Sequence, residues 1–92
     1  MPSELQDFEP LVGRTFHFDT GHELALTRIE TGRQSPGFRQ PFTLVFSGPP
    51  GPGYMREGTR TCRLDDGEPF ALYVAPVQTH DPARQDYQAA FN

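Results

Sequence analysis

The sequence predicts an all-β fold, a small six-stranded antiparallel β-barrel or roll preceded by a short N-terminal helical turn. Three observations carry that expectation. Two apolar runs alternate between proline boundaries, Pro41-Phe42-Thr43-Leu44-Val45-Phe46-Ser47-Gly48-Pro49 and Pro69-Phe70-Ala71-Leu72-Tyr73-Val74-Ala75-Pro76. Proline cannot donate to a ladder, so each run reads as a short strand with enforced ends. Two tripeptides, Asp19-Thr20-Gly21 and Asp65-Asp66-Gly67, have the composition of a three-residue hairpin loop, a type I turn followed by a left-handed glycine. Ten Pro and nine Gly cluster between the apolar runs and read as turns at strand-length intervals.

The 92 residues form one domain, spanning 1–92. A chain of this size buries roughly 60–70% of its unfolded surface. Eight Phe and three Tyr with no Trp supply much of the core volume, since each enclosed ring buries about 150–250 Å².

Residues 3–12 read as a short helical plug. Ser3 with Gln6 resembles a capping box, Phe8, Leu11 and Val12 face inward, and Pro10 keeps the helix short. Gly13 is the hinge into the barrel strands, 14–92. The first strand is Arg14–Phe18 and the second about His22–Thr31. A three-residue loop pairs Phe16 with Leu24, Phe18 with His22 and His17 with Glu23. A two-residue loop would mix the faces, because a one-residue slip inverts every side chain. The same loop at Asp65-Asp66-Gly67 sets Cys62 opposite Phe70, Arg60 opposite Leu72 and Gly58 opposite Val74. Strand three is Phe42–Ser47, strand four Gly58–Leu64, strand five Phe70–Pro76 and strand six Asp86–Phe91, with Tyr87, Ala89 and Phe91 on one face. Closure of six such strands removes exposed edges.

Net charge is −4, and all eight basic residues are Arg. Without lysine the chain has no Schiff-base or P-loop lysine. Its arginines are scattered apart from Arg56, Arg60 and Arg63, so no basic stripe suits nucleic acid. Cys62 is the only cysteine and forms no intrachain disulfide. No basic-flanked apolar leader and no apolar run of spanning length are present, which predicts a cytoplasmic domain with no membrane partner.

No constellation reads as a catalytic set. His17 and Glu23, with His22 or Asp19 nearby, fall short of a metal site, because alternation sends His17 and His22 to opposite faces. The expected arrangement is an exposed cross-strand ion pair and a hairpin-end histidine, with no cofactor. Cys62 alternates with Leu64 on the inward face, a small core residue instead of a reactive thiolate. Asp65, Asp66 and Glu68 are consecutive turn residues, not carboxylates facing across a cleft. The loop Gly48-Pro-Pro-Gly-Pro-Gly53 lacks the Lys-Ser/Thr of a phosphate cradle. Arg60 points inward opposite Leu72 and is expected to reach out at the barrel rim or to meet Glu30 or Glu57.

The candidate partner surface is the loop set Arg33–Arg39 and Pro50–Arg56. It holds Phe38, Tyr54 and Met55 beside Arg33, Arg39 and Arg56, the residue types enriched at protein interfaces. The competing reading makes Phe38 and Tyr54 caps over an open barrel end.

The chain also resembles a known family. Leu11-Val12-Gly13-x-Thr15-Phe16, Pro41-Phe42-x-Leu44-x-Phe46-x-Gly48-Pro49, Glu57-Gly58-Thr59 and Tyr87-x-Ala89-x-Phe91-Asn92 are similar, in that order, to small bacterial proteins known only as a domain of unknown function. The likeness runs from about Phe8 to Asn92. Members accompany proteins with phage-tail-collar domains of the microcystin-dependent type. The resemblance therefore implies an accessory or assembly role beside tail-like structures, a tail-collar-type protein as partner, and no catalytic residues to carry over. This chain has Arg60 where the family tends to have an aromatic. The expected function is a non-enzymatic accessory, assembly or protein-interaction module. The alternative is a barrel that binds a small ligand such as a carbohydrate.

Overall fold

A computed structural model describes residues 2–50, 53–79 and 81–91. Gly51 and Pro52 of the Pro-Gly loop, His80 of the last loop and the terminal Asn92 of the family-like segment lie outside the described residues. The strands are β1 (Thr15–Phe18), β2 (Glu23–Thr31), β3 (Phe42–Gly48), β4 (Gly58–Arg63), β5 (Phe70–Val77) and β6 (Gln85–Phe91). They close into an antiparallel barrel in the order β1-β2-β3-β6-β5-β4, as the alternating runs predict.

That order sets one connection apart from the rest. β3 and β4 stand diametrically opposite in a ring of six. The chain between them therefore reaches across the upper mouth of the barrel, the end where β3 finishes, and its described residues 53–57 include the buried Met55. Every other connection joins neighbouring strands.

The barrel interior is the expected one. Phe16, Phe18, Leu24, Leu26, Phe42, Leu44, Phe46, Cys62, Phe70, Leu72, Val74, Tyr87 and Ala89 are all buried. Phe16 packs edge-on against Phe46 at 5.0 Å and against Phe70 at 6.1 Å, arrangements that aromatic quadrupoles favour. Both hairpin registers are as read: Phe16 opposite Leu24 and His17 opposite Glu23, then Gly58, Arg60 and Cys62 opposite Val74, Leu72 and Phe70.

Two features of the strands and turns differ from the sequence expectation. The two hairpins do not share turn chemistry. Gly21 has φ +91° and its N–H bonds to the Phe18 carbonyl at 2.9 Å, whereas Gly67 has no positive φ. Pairing between β4 and β5 stops at Cys62 and Phe70, so the second loop is wider than three residues, and nothing forces Gly67 left-handed. β2 is also not continuous: its pairing with β3 shifts between Leu26 and Arg28. Thr27 is the extra residue of this bulge, and its hydroxyl donates to the Val45 carbonyl at 3.0 Å. The bulge turns Ile29 inward and lets Arg28 and Glu30 pair outside at 2.9 Å.

The N-terminal plug is present as α1 (Leu5–Phe8) followed by a 3-10 turn, Glu9–Leu11. Its capping box is Glu4 with Asp7, one residue beyond the Ser3–Gln6 pair. Asp7 accepts the N–H groups of Ser3 at 3.1 Å and Glu4 at 3.0 Å. These bonds favour its charged form and hold its carboxyl below the usual range. Phe8 is fully buried and meets Phe91 at 5.3 Å and Phe42 at 6.0 Å, while Phe42 and Phe91 stack at 4.7 Å. This trio stoppers the lower mouth. Leu11 packs against the core, but Val12 is 45% exposed. The chain turns at Gly13 (φ +92°) and aims the Val12 side chain outward.

Candidate interaction surface

The two loops of the candidate surface lie at opposite ends of the barrel. Residues 32–41 join β2 to β3 at the lower end, and residues 49–57 leave β3 at the upper end. The seven-residue β3 separates them by about 20 Å at ~3.3 Å per residue. They are not one patch, and each is considered by itself.

At the lower end, Phe38 is 74% exposed. Its N–H bonds to the Ser35 carbonyl at 3.1 Å, with Gly37 at φ +82°, so a closed turn presents the ring to solvent. Arg39 reaches back to the N-terminal segment, donating to the Ser3 carbonyl at 2.8 Å and to Glu4 Oε1 at 3.4 Å. Arg33, Ser35, Phe38, Arg39 and Pro41 line an open cleft of about 240 Å³.

At the upper end, Tyr54 is 63% exposed and lies beside Pro76, Val77, Gln78, Thr79 and Gln85. Arg56 is exposed, and its carbonyl accepts from Arg60. Met55 is a correction. It is 2% exposed and belongs to the core, not to a partner surface. The crossing strap has to close the mouth, and Met55 is the apolar side chain that it inserts.

The strap is held by groups that alternation alone does not reveal. The Met55 N–H donates to the Tyr87 hydroxyl at 2.7 Å, which gives a buried phenol the partner it requires. Burial raises the Tyr87 hydroxyl above its usual range, with the Met55 bond acting against this. His22 Nε2–H donates to the Gly53 carbonyl at 2.9 Å. Thr20 Oγ1 sits 2.7 Å from His22 Nδ1 and 3.4 Å from Met55 Sδ. The hairpin-end histidine is thus a fastener between the first hairpin and the strap. An inward tyrosine near a strand end was the only sequence signal for this arrangement.

Arg60 takes the rim, as expected, but meets no carboxylate. It is half-buried, lies over Gly58, and donates Nη2 to the Arg56 carbonyl at 2.9 Å. Its buried Nε has no partner. Gly58 leaves open the inward position over which the guanidinium folds.

His17 pairs with Glu23 at 2.9 Å, as the register predicts, and also with Asp65 at 2.5 Å. Asp65 and Asp66 are exposed turn residues, yet both are engaged, Asp66 with Arg14 at 3.6 Å. No hairpin joins β1 to β4, so this contact across the closing seam was not legible. Cys62 is buried, and burial, with a smaller push from Asp19, raises its thiol to about 12. At neutral pH it carries no thiolate for nucleophilic work.

Barrel, stoppers and exposed loops together define a small closed β-barrel module whose mouths are filled by its own Phe8 and Met55. No helix among the described residues is long and apolar enough to cross a membrane. A family model, described as Domain of unknown function (DUF6916), matches residues 3–91, and the chain belongs to that family. No curated protein and no solved structure matches it.

Proposed function

We propose that this domain is a non-enzymatic protein-interaction module that works through its loops. The observation that supports this best is where its large side chains go. The chain uses its own Phe8 and Met55 to fill the barrel mouths, yet leaves Phe38 at 74% exposure on a turn closed by a backbone bond and Tyr54 at 63% between two side-chain-fastened neighbours, Gly53 and Met55. Exposed aromatics beside arginine are the ingredients of interface hot spots, and a backbone already held by hydrogen bonds loses little entropy on binding. An accessory or assembly role fits such a module, and a tail-collar-type protein, the partner the resemblance implies, is the first candidate.

The test is capture of partners from the native cell by the tagged domain, alongside Phe38→Ala and Tyr54→Ala as separate variants. A discrete partner lost in one variant and kept in the other supports the reading and assigns the end. A capture profile unchanged in both variants would sink it.

A second reading, small-ligand binding, finds support only at Tyr54. Its ring beside Pro76, Val77 and Gln85 offers a stacking face and amide groups of the kind a sugar uses, outside the barrel instead of within it. A thermal-shift screen against carbohydrates tests it, because a ligand of the native state raises the melting temperature. No saturable shift, or a shift unchanged in Tyr54→Ala, would remove this reading.

A further inference from the structure

Resting on the interaction-module reading, we infer that the lower-end cleft receives an acidic segment of a partner protein, with a carboxylate on Arg33 and an adjacent apolar side chain on Phe38.

The first argument is charge placement. The chain carries twelve carboxylates and a net charge of −4, yet residues 31–56 contain Arg33, Arg39 and Arg56 and no Asp or Glu. Outside this stretch three of the five arginines pair with carboxylates, while Arg60 and Arg63 donate only to backbone carbonyls. Arg28 pairs with Glu30, Arg84 with Asp81 and Asp86, and Arg14 with Asp66. Arg33 has no carboxylate within ion-pair distance among the described residues. A guanidinium placed on an acid-free stretch of an acidic protein is complementary to an anion from outside.

The second argument is the chain's own behaviour at this end. Arg39 already holds the Ser3 carbonyl and the Glu4 carboxylate. An acidic segment of the chain itself is therefore docked on this loop through an arginine. That contact occupies Arg39 and leaves Arg33 and Phe38 open on the same cleft.

The third argument concerns the type of anion. Arginine offers a planar fork suited to a carboxylate. The exposed Phe38 ring and Pro41 add an apolar contact that a free inorganic anion cannot use. Both features suit a peptide bearing an acidic and an apolar residue side by side.

The probe is a fluorescein-labelled hexapeptide, Asp-Phe-Glu-Asp-Phe-Glu, compared with its neutral counterpart, Asn-Phe-Gln-Asn-Phe-Gln. Fluorescence anisotropy is read with the full chain and with Arg33→Ala and Phe38→Ala. Both replaced side chains are exposed, and circular dichroism checks that the fold is retained. The expected result is saturable binding of the acidic probe, roughly tenfold weaker in either variant and for the neutral probe, and weaker at high salt. Equal binding of the two probes, or acidic-probe binding unchanged in Arg33→Ala, overturns the inference. So does self-association by sedimentation that Arg33→Ala abolishes, since the occupant is then a second copy using its own carboxylates. If Phe38→Ala abolishes partner capture while the acidic probe fails to bind, the module reading stands and the acidic assignment falls.

Discussion

Met55 shows how a single side chain reassigns a loop. By composition it belongs with Tyr54 and Arg56, but the strap turns it inward and fastens its N–H to Tyr87. Met55→Ala should leave a cavity in the mouth and cost about 2–5 kcal/mol. Tyr87→Phe removes only the acceptor and leaves a buried N–H unpaired, at about 1–3 kcal/mol. Urea unfolding reads both. A loss below about 0.5 kcal/mol for either variant would mean that the strap is not held at that point. Cys62 gives a pH prediction with a definite sign. Its thiol keeps its proton up to about 12 in the folded state, whereas an unfolded thiol loses it near 8.5. Between these values the unfolded chain binds fewer protons, so stability falls as pH rises, at up to ~1.4 kcal/mol per pH unit. The stabilisation is fully present below about pH 8.5. Unfolding at pH 7 and about pH 10.5 should show a steeper decline for the wild type than for Cys62→Ala, and parallel declines would contradict the buried thiol.

At the scale of elements, the two hairpins separate what a sequence can and cannot show. Both registers were legible because alternation around a tight loop admits only one pairing that keeps Phe16, Leu24, Cys62 and Phe70 inside. The turn conformations were not, because Asp-Thr-Gly and Asp-Asp-Gly look alike until strand pairing stops early at Cys62 and Phe70. Gly21→Ala meets no neighbouring atom within 4 Å, so its cost is that of a left-handed backbone alone, about 1 kcal/mol. Gly67→Ala carries no such cost and should be nearly neutral, with Leu64 Cβ at an ordinary 3.7 Å. Thermal unfolding of the two variants distinguishes them, and equal shifts would contradict the difference between the turns. The bulge at Thr27 left only a trace in the sequence. Strict alternation from Leu24 and Leu26 would send Arg28 and Glu30 inward and Ile29 outward, and pairing with β3 shows where the phase changes.

At the scale of the whole molecule, strand order decides the candidate site. Alternation and turn signals predict six strands and closure, but they do not show that β3 and β4 stand opposite one another. From that placement follow the strap across the upper mouth and the burial of Met55, while the separation of Phe38 from Tyr54 follows from β3 running between their loops. Four of the surface residues named from sequence, Arg33, Phe38, Arg39 and Tyr54, line open clefts, and Arg56 is exposed on the strap. The contacts of His22 and Asp65 depend on pairings between segments far apart in the chain, which composition cannot register. The most direct test of the account places a photoreactive benzoylphenylalanine at position 38, and separately at position 54, in the domain expressed in its native cell. The expected result is a discrete crosslinked protein from position 38 under illumination. Contradiction would be no crosslink from position 38 while the domain remains folded and abundant.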